Sequence, residues 1–240
     1  MNKSIVVIPT YNEEKNILRI LDDLKNIPID ILIVDDGSND NTKKIIKKYM
    51  DNPSTKNKIY TLFKNKNEGK SKAIRDGTEL ALKLNYEYVV YMDGDYQHKP
   101  KDIPKMFKKL KKHNGDAIFG IRKYSSIPFH RQISNYLASI IMSIIISVYV
   151  GRIYFFKDIQ CGFRIIKGEF LRDMYYGDGY SVEHLIAIQL AKKNAKIIEE
   201  YIDIEYHADA CSHITTKKIL DVVIEVAKYV LWGHKKEGNH

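Results

Sequence analysis

Cysteine is almost missing from this chain of 240 residues: Cys161 and Cys211 stand alone, with no second pair and no spacing that suits a metal. That excludes a disulfide scaffold and a zinc finger, and it reads as free thiols in a reducing compartment. No uninterrupted apolar run reaches the roughly 20 residues that span a bilayer. The longest, Tyr136–Val150, falls short, and reads either as a core helix or as one lying in a membrane interface. Repeats and low-complexity stretches are absent, and the six prolines are scattered, so nothing marks a linker. The opening MNKSIVVIPTYNEE has a basic residue and a short apolar run, but the run stops at Pro9 and turns acidic, unlike a signal peptide. The expectation is a protein that stays in the cytosol.

What is present is a 44% hydrophobic composition, enough for one substantial α/β core, and a formal net charge of +9. Such an excess suggests a phosphate-bearing partner without choosing among nucleotide, nucleic acid and anionic membrane. No RNA-recognition signature or zinc spacing accompanies it, so no nucleic-acid partner is expected. Seven lysines within Lys99–Lys112, interleaved with Ile103, Met106, Phe107 and Leu110, read as a solvated amphipathic helix.

The first half alternates short apolar runs with helix-length amphipathic ones. Strands are expected at Ser4–Thr10, Asp30–Asp35, Ile59–Phe63, Tyr88–Met92 and Ala117–Ile121. Between them, helices are expected over Glu14–Lys25 (apolar face Ile17, Leu18, Leu21, Leu24), Asn41–Met50, Lys70–Leu84 and Ile103–Lys112. This order implies right-handed βαβ units and a mostly parallel twisted sheet with helices on both faces. Farther on, helices are expected at Val182–Lys193 and Thr216–Trp232 and a strand near Lys196–Glu205. Serines 139, 143 and 147 form a small-polar stripe along the apolar helix.

Ligands of such sheets bind at the carboxyl ends of strands, and the polar clusters fall there. Pro9–Glu13 follows the first strand, Asp35–Ser38 the second, Asp93–Gln97 the fourth, and Gly120–Lys123 ends the fifth. Asp93 and Asp95, one residue apart, can reach a hard cation and the diphosphate it carries, with Gln97 as another oxygen donor. Gly94 permits close backbone approach. Asp35 and Asp36 are adjacent like charges at a buried strand end, a cost that a ligand offering donors would relieve, while Ser38–Asn41 reads as capping. Asn67–Lys70 places Lys70 and a helix N-terminus near an anionic group. His98, beside the two aspartates, reads as a turn histidine.

In this order and spacing, PTYNEE, VDDGSND, NEGKSKA, YMDGDYQHKP, GIR and DIQCGFR resemble the family-2 inverting glycosyltransferases of the GT-A fold. The DxDxQxxP form (Asp93, Asp95, Gln97, Pro100) and CGFR (Cys161–Arg164) are most similar to the dolichyl-phosphate mannose synthase and polyprenyl-phosphate glycosyltransferase branch. The resemblance covers about Ser4–Ile166. It implies a GT-A catalytic domain over residues 1–207 with an interfacial or acceptor-site helix near 132–150, then a C-terminal amphipathic helix and basic tail over 208–240. Pro9, Tyr11 and Glu13 would line the nucleotide pocket, with Val34 and Asp36 against the base and Lys70 nearby. Asp93 and the Gly94 backbone would hold the sugar diphosphate, Asp95 and Gln97 (with Asp93) the Mn2+ or Mg2+. Arg122 would face the transferred group or the acceptor phosphate, which Arg131 and Ser134 would also hold.

The resemblance further implies a nucleoside-diphosphate sugar as donor, GDP-mannose or UDP-glucose, and dolichyl or polyprenyl phosphate as acceptor, taken up at the cytoplasmic face of a membrane by a peripheral enzyme. Ser71 stands where family members often carry a second glycine, and His207 and His213 stand where many carry cations. A glycan-hydroxyl acceptor is the alternative. It would require a base carboxylate, for which Asp158, Asp178 and Glu183 are candidates.

Overall fold

The apolar segments of the first half pair edge to edge, because each is too hydrophobic to leave either face in water. In the computed structural model β1 (Ser4–Thr10) lies between β2 (Asp30–Asp35) and β4 (Tyr88–Tyr91), and β3 (Ile59–Phe63) flanks β2, all parallel. Residues 3–51, 56–123, 129–179, 181–205 and 216–232 are described, without the side chains of 129–131, 216–221 and 232. The sheet continues through β6 (Arg164–Lys167), β5 (Ala117–Arg122) and β7 (Ile197–Ile202) to give the order β3-β2-β1-β4-β6-β5-β7. Its one antiparallel member is β6, paired with β4 and β5.

That strand is absent from the sequence expectations, because Arg-Ile-Ile-Lys is too short and too flanked by charge to show a period. Helix α1 (Ile17–Leu24) also differs: it buries Ile20 rather than Leu18, which is 46% exposed.

Two cores flank the sheet. On one side α1, α2 (Thr42–Met50) and α4 (Ile103–Lys112) cover Val6, Ile8, Ile31, Ile33, Val90, Ile118 and Ile165. On the other, α3 (Lys70–Lys83) covers Val7 and Val34, and α7 (Val182–Lys192) covers the half around Phe119 and Ile166. Nearly every residue of α7 is buried, because α5 (Phe129–Val150) and α8 (Thr216–Trp232) pack over it. The short α6 (Gly168–Leu171) closes the β6 end. The lysines of α4 pair with β7: Lys105 and Lys109 reach Glu200 at 3.1 and 3.0 Å, consistent with a solvated charged face.

The long helix corrects the length expectation. It runs for 22 residues rather than the fifteen or so of the apolar run, since Phe129–Asn135 continue the same helix. Within it Gln132–Val150 is long and apolar enough to cross a bilayer, with only 22% of it buried. The serine stripe explains how it sits. Ser139, Ser143 and Ser147 hydroxyls accept the backbone N–H groups of Ile159, Phe156 and Tyr154 at 3.2, 2.9 and 2.8 Å. The chain leaving the helix thus folds back along its inner face, held by a ladder of hydroxyls. The opposite face presents Ile133, Leu137, Ile141, Ile144 and Val148, all 46% exposed or more.

Ser143→Ala leaves the buried Phe156 N–H without its acceptor and is expected to cost about 1–3 kcal/mol. Urea unfolding of the variant against the parent measures it.

Candidate active site

The loops after β1 and β2 are joined by their own polar side chains. Asn12 N–H donates to Ser38 Oγ (2.9 Å), Asn39 N–H to Asn12 Oδ1 (2.9 Å), and Glu13 N–H to Thr42 Oγ1 (2.8 Å). The capping expectation therefore holds for Asp40, whose Oδ1 accepts the Thr42 N–H at 2.9 Å, but Ser38 serves the neighbouring loop instead. Tyr11 remains 41% exposed at the rim.

The buried aspartate pair is resolved mostly from within the protein. Asp36 accepts the N–H groups of Glu68 and Gly69 (Gly69 at 2.7 Å), and Lys64 Nζ stands 3.3 Å away. The N-terminus of α3 thus meets the protein's own carboxylate, where sequence reasoning looked to a ligand. Asp35 is buried with its Oδ1 unpartnered among the described residues. Val34 is fully buried, packed against α3 where a Cβ at Gly77 would lie 3.0 Å from its Cγ2.

Gly94 is required by the chain: an added Cβ would stand 2.7 Å from Thr10 Cγ2 and 3.0 Å from Pro9 O, so the Asp93–Asp95 turn lies directly on the β1 exit. Tyr96 closes that turn at φ +62°, with its hydroxyl donating to Asp23 (2.8 Å) and Arg19 stacked 4.0 Å over its ring. Such a backbone is uncommon for a bulky residue and persists only when its surroundings hold it.

Lys70, the first residue of α3, joins three elements. Its Nζ lies 2.7 Å from Asp93 Oδ1 and 2.8 Å from Glu183 Oε1 in the first turn of α7. Burial alone would lower its pKa, but Asp93 and Glu183 outweigh this and raise it. Burial likewise pushes Asp93 up, and Lys70 foremost brings its carboxyl below the usual range. Asp95 has no cation within ion-pair distance among the described residues, and burial, then Asp93, raises its carboxyl. Its Oδ1 accepts only the Gln97 N–H, at 3.0 Å. Glu13 is pushed up to about 7 by burial, with Asp95, Asp40 and Asp93 adding repulsion against one hydrogen bond from Asn16.

Glu13, Asp93 and Asp95 therefore repel one another across the strand ends, with Lys70 paired to Asp93 and Arg122 adding a weaker attraction to it. No three His, Cys, Asp or Glu side chains stand together as a preformed metal cluster among the described residues. Asp95 and Gln97, the pair expected from the sequence to hold a cation, touch through the Gln97 backbone N–H, and their side chains offer only oxygen acceptors, the donor type that a hard divalent cation takes.

Arg122 is oriented by a residue the motif reading considered only as a base. Asp158, 3% exposed, accepts from its Nε and Nη2 at 2.8 Å each and from its backbone N–H at 3.1 Å. Asp178 is exposed, and Glu183 is the one named base candidate paired with Lys70. His98, expected as a turn histidine, is 4% exposed, its ring tilted against Phe163 at 5.3 Å and 3.9 Å from Cys161 Sγ, with burial lowering its pKa.

Two positions of the CGFR motif that were given no individual role carry weight. Arg164 is fully buried, donates to the carbonyls of Cys161, Ile159 and Glu183 (2.9 Å to Cys161, 2.7 Å to Glu183), and stacks 4.0 Å over Phe119. It ties the 158–163 loop to the start of α7. Gly162 lies so close to Asp93 that an added Cβ would sit 3.0 Å from Oδ2. A fully buried arginine leaves no sequence signal beyond its motif. Ser71 donates to Gly179 O at 2.9 Å. Ser134 is exposed near the start of α5. The side chain of Arg131, and Cys211, His207, His213, His234 and His240, lie outside the described residues.

Because the folded pKa of Glu13 lies above its ordinary value of 4.5, its contribution to stability is complete below about pH 4.5 and is lost as pH rises through about 7. Thermal unfolding between pH 5 and 8 in chelator should show this fall in the parent, and a flatter profile in Glu13→Gln.

Comparison with known proteins gives the family and the fold. The model of glycosyl transferase family 2 matches residues 5–174. An uncharacterized protein of Methanocaldococcus jannaschii is 59% identical over 94% of this chain and 98% of its own length. The UDP-N-acetylglucosamine–dolichyl-phosphate N-acetylglucosaminyltransferase of Methanococcus voltae is 30% identical over 66% of this chain and 67% of its own. The dolichol-phosphate mannosyltransferase of Pyrococcus furiosus is 27% identical over 96% of this chain and 64% of its own. Among solved structures, glucosyl-3-phosphoglycerate synthase of Mycobacterium tuberculosis, in complex with Mn2+ and UDP-glucose, superposes with a TM-score of 0.66 at 16% identity, over 96% of this chain and 78% of that one. The fold is GT-A, and the chain belongs to glycosyl transferase family 2.

Proposed function

We propose that this glycosyltransferase moves a hexose from a nucleoside-diphosphate sugar to dolichyl or polyprenyl phosphate at the cytoplasmic face of a membrane, using Mn2+ or Mg2+. The observation that carries the reading is Asp95, a carboxylate without a cation beside an Asp93 already neutralised by Lys70, at the strand ends where four loops converge. A divalent cation there would neutralise charge on the departing diphosphate. Asp95 and Gln97 would hold it, with Asp93 and the Gly94 backbone beside the sugar diphosphate.

The remaining residues divide the work by chemistry. Pro9, Tyr11 and Glu13 border the nucleotide side, with Asp36 and Val34 setting the wall behind it. Arg122, held rigid by Asp158, is a positioning cation for the acceptor phosphate or the transferred group, and Arg131 and Ser134 begin the helix beside it. In the reaction one acceptor oxygen bonds the anomeric carbon with inversion as the carbon–oxygen bond to the diphosphate breaks, and the nucleoside diphosphate carries away the electron pair. A phosphate monoester is largely ionised at pH 7, with a second pKa near 6, so it needs cations to position it and no proton acceptor. Two relatives named for dolichyl-phosphate transfer and the exposed apolar row of α5 support the lipid acceptor.

A hydroxyl acceptor is the second reading, and Glu183 favours it, being a buried carboxylate one lysine away from Asp93. The two separate in one experiment. Purified protein is given Mn2+ and polyprenyl phosphate with GDP-mannose, UDP-glucose or UDP-N-acetylglucosamine, and nucleoside diphosphate and glycolipid are measured. Release that requires the lipid, is lost in Asp95→Ala by about 100-fold or more, and persists in Glu183→Gln across pH 6.5–8 is expected. Metal-dependent nucleotide binding without lipid turnover would transfer the case to the hydroxyl acceptor.

A further inference from the structure

We infer that a cleft at the far end of α5 takes the headgroup of an anionic membrane phospholipid. The cleft measures about 430 Å³ and lies between the segment leaving α5 and the start of β7. Arg152, Ile153 and Phe155 form one wall and Lys196, Ile197 and Glu199 the other. Ile153 is 95% and Phe155 57% exposed, an arrangement with no benefit in water. Arg152 and Lys196 are both exposed, and neither makes an ion pair among the described residues. Glu199 is the one acid of the cleft, and its Oε1 is turned to the Lys157 backbone N–H at 2.8 Å. Asp116, which accepts the Lys196 backbone N–H at 2.9 Å, has its carboxyl lowered, against burial, chiefly by Lys167, with Lys196 contributing. Two exposed cations without an ion pair among the described residues, set among apolar side chains, suit a phosphate that carries hydrocarbon.

Position separates this cleft from the catalytic edge. The 22 residues of α5 at 1.5 Å each put its ends about 33 Å apart. Arg122 stands before one end and Arg152 follows the other. Along the helix Ile133, Leu137, Ile141, Ile144 and Val148 recur at steps of four, four, three and four, so they form one row. Ile153, after the helix, adds an exposed apolar side chain at the cleft. The serine ladder fixes the opposite face to the protein. A helix bound along its whole length presents its row flat, as an interfacial helix does, with cations at the headgroup level. A soluble anion would have no use for the row or for Ile153. The inference rests on the membrane-surface part of the proposed function, and it adds an anchor that sets how the catalytic edge faces the bilayer.

The test is co-sedimentation of the full chain with phosphatidylcholine vesicles, with and without phosphatidylglycerol, using Arg152→Gln/Lys196→Gln and Arg152→Glu/Lys196→Glu. At about fivefold per cation near the surface, loss of both should weaken binding to the anionic vesicles by roughly 30-fold. Lys111→Glu/Lys112→Glu, on α4 across the sheet, should keep it. Glycerol 3-phosphate should not displace the parent from vesicles. Unchanged binding of both cleft variants, an equal loss in the α4 pair, or displacement by glycerol 3-phosphate would overturn the proposal. Glycosyl transfer to detergent-dispersed polyprenyl phosphate, measured on the same variants, should stay at parent level. Absence of transfer in the parent would count against the proposed function while leaving the vesicle result to stand on its own.

Discussion

One ammonium group stands between two carboxylates, and the chemistry of the candidate site follows from where it stands. Lys70 Nζ lies 2.7 Å from Asp93 and 2.8 Å from Glu183, so the starts of α3 and α7 and the end of β4 meet at a single atom. Burying a carboxylate without a partner is costly, and this bridge removes the cost for two of them. It also divides the carboxylates unequally. Asp93 is held ionised, whereas Asp95 and Glu13 are left to repel it and each other, and both are driven toward their neutral forms. That imbalance leaves Asp95 without a paired cation among the described residues, which is the ground for the proposed divalent metal.

The second half of the chain serves the first by geometry. Arg164 draws three carbonyls around one guanidinium and so fixes the loop that presents Gly162 to Asp93 and Asp158 to Arg122. The same loop runs back along α5 on the three serine hydroxyls. A single stretch of backbone, residues 154–163, therefore connects the rigidity of the catalytic edge to the placement of the apolar helix. Those contacts leave the outward row of α5 exposed, and the helix follows the strand that carries Arg122.

Much of this was legible from the residues alone, for a physical reason. Strands buried on both faces and amphipathic helices leave strong periods, so β1 to β5 and α1 to α4 could be read to within a few residues. The rule that ligands gather at strand ends then pointed to Pro9–Glu13, Asp93–Gln97 and Arg122. What could not be read was carried by single long-range contacts. Four residues, Arg164–Lys167, are too few to show a period, so β6 and the antiparallel turn in the sheet stayed hidden. The carboxylate of Asp36 was read as awaiting a ligand, because no sequence rule brings Lys64 and the Gly69 N–H to it. The serine stripe was visible, but its purpose depended on a segment that returns along the helix. Lys70 was placed near an anion, and the anion proved to be the protein's own.

The central claim is the charge deficit around Asp95, and metal-dependent nucleotide binding tests it most directly. Calorimetric titration of UDP and of GDP into the parent would be run with Mn2+ and with chelator, and repeated on Asp95→Ala. One nucleotide is expected to bind with Mn2+ and at least tenfold more weakly in chelator, with Asp95→Ala removing the difference. Binding of equal strength with and without metal would contradict it.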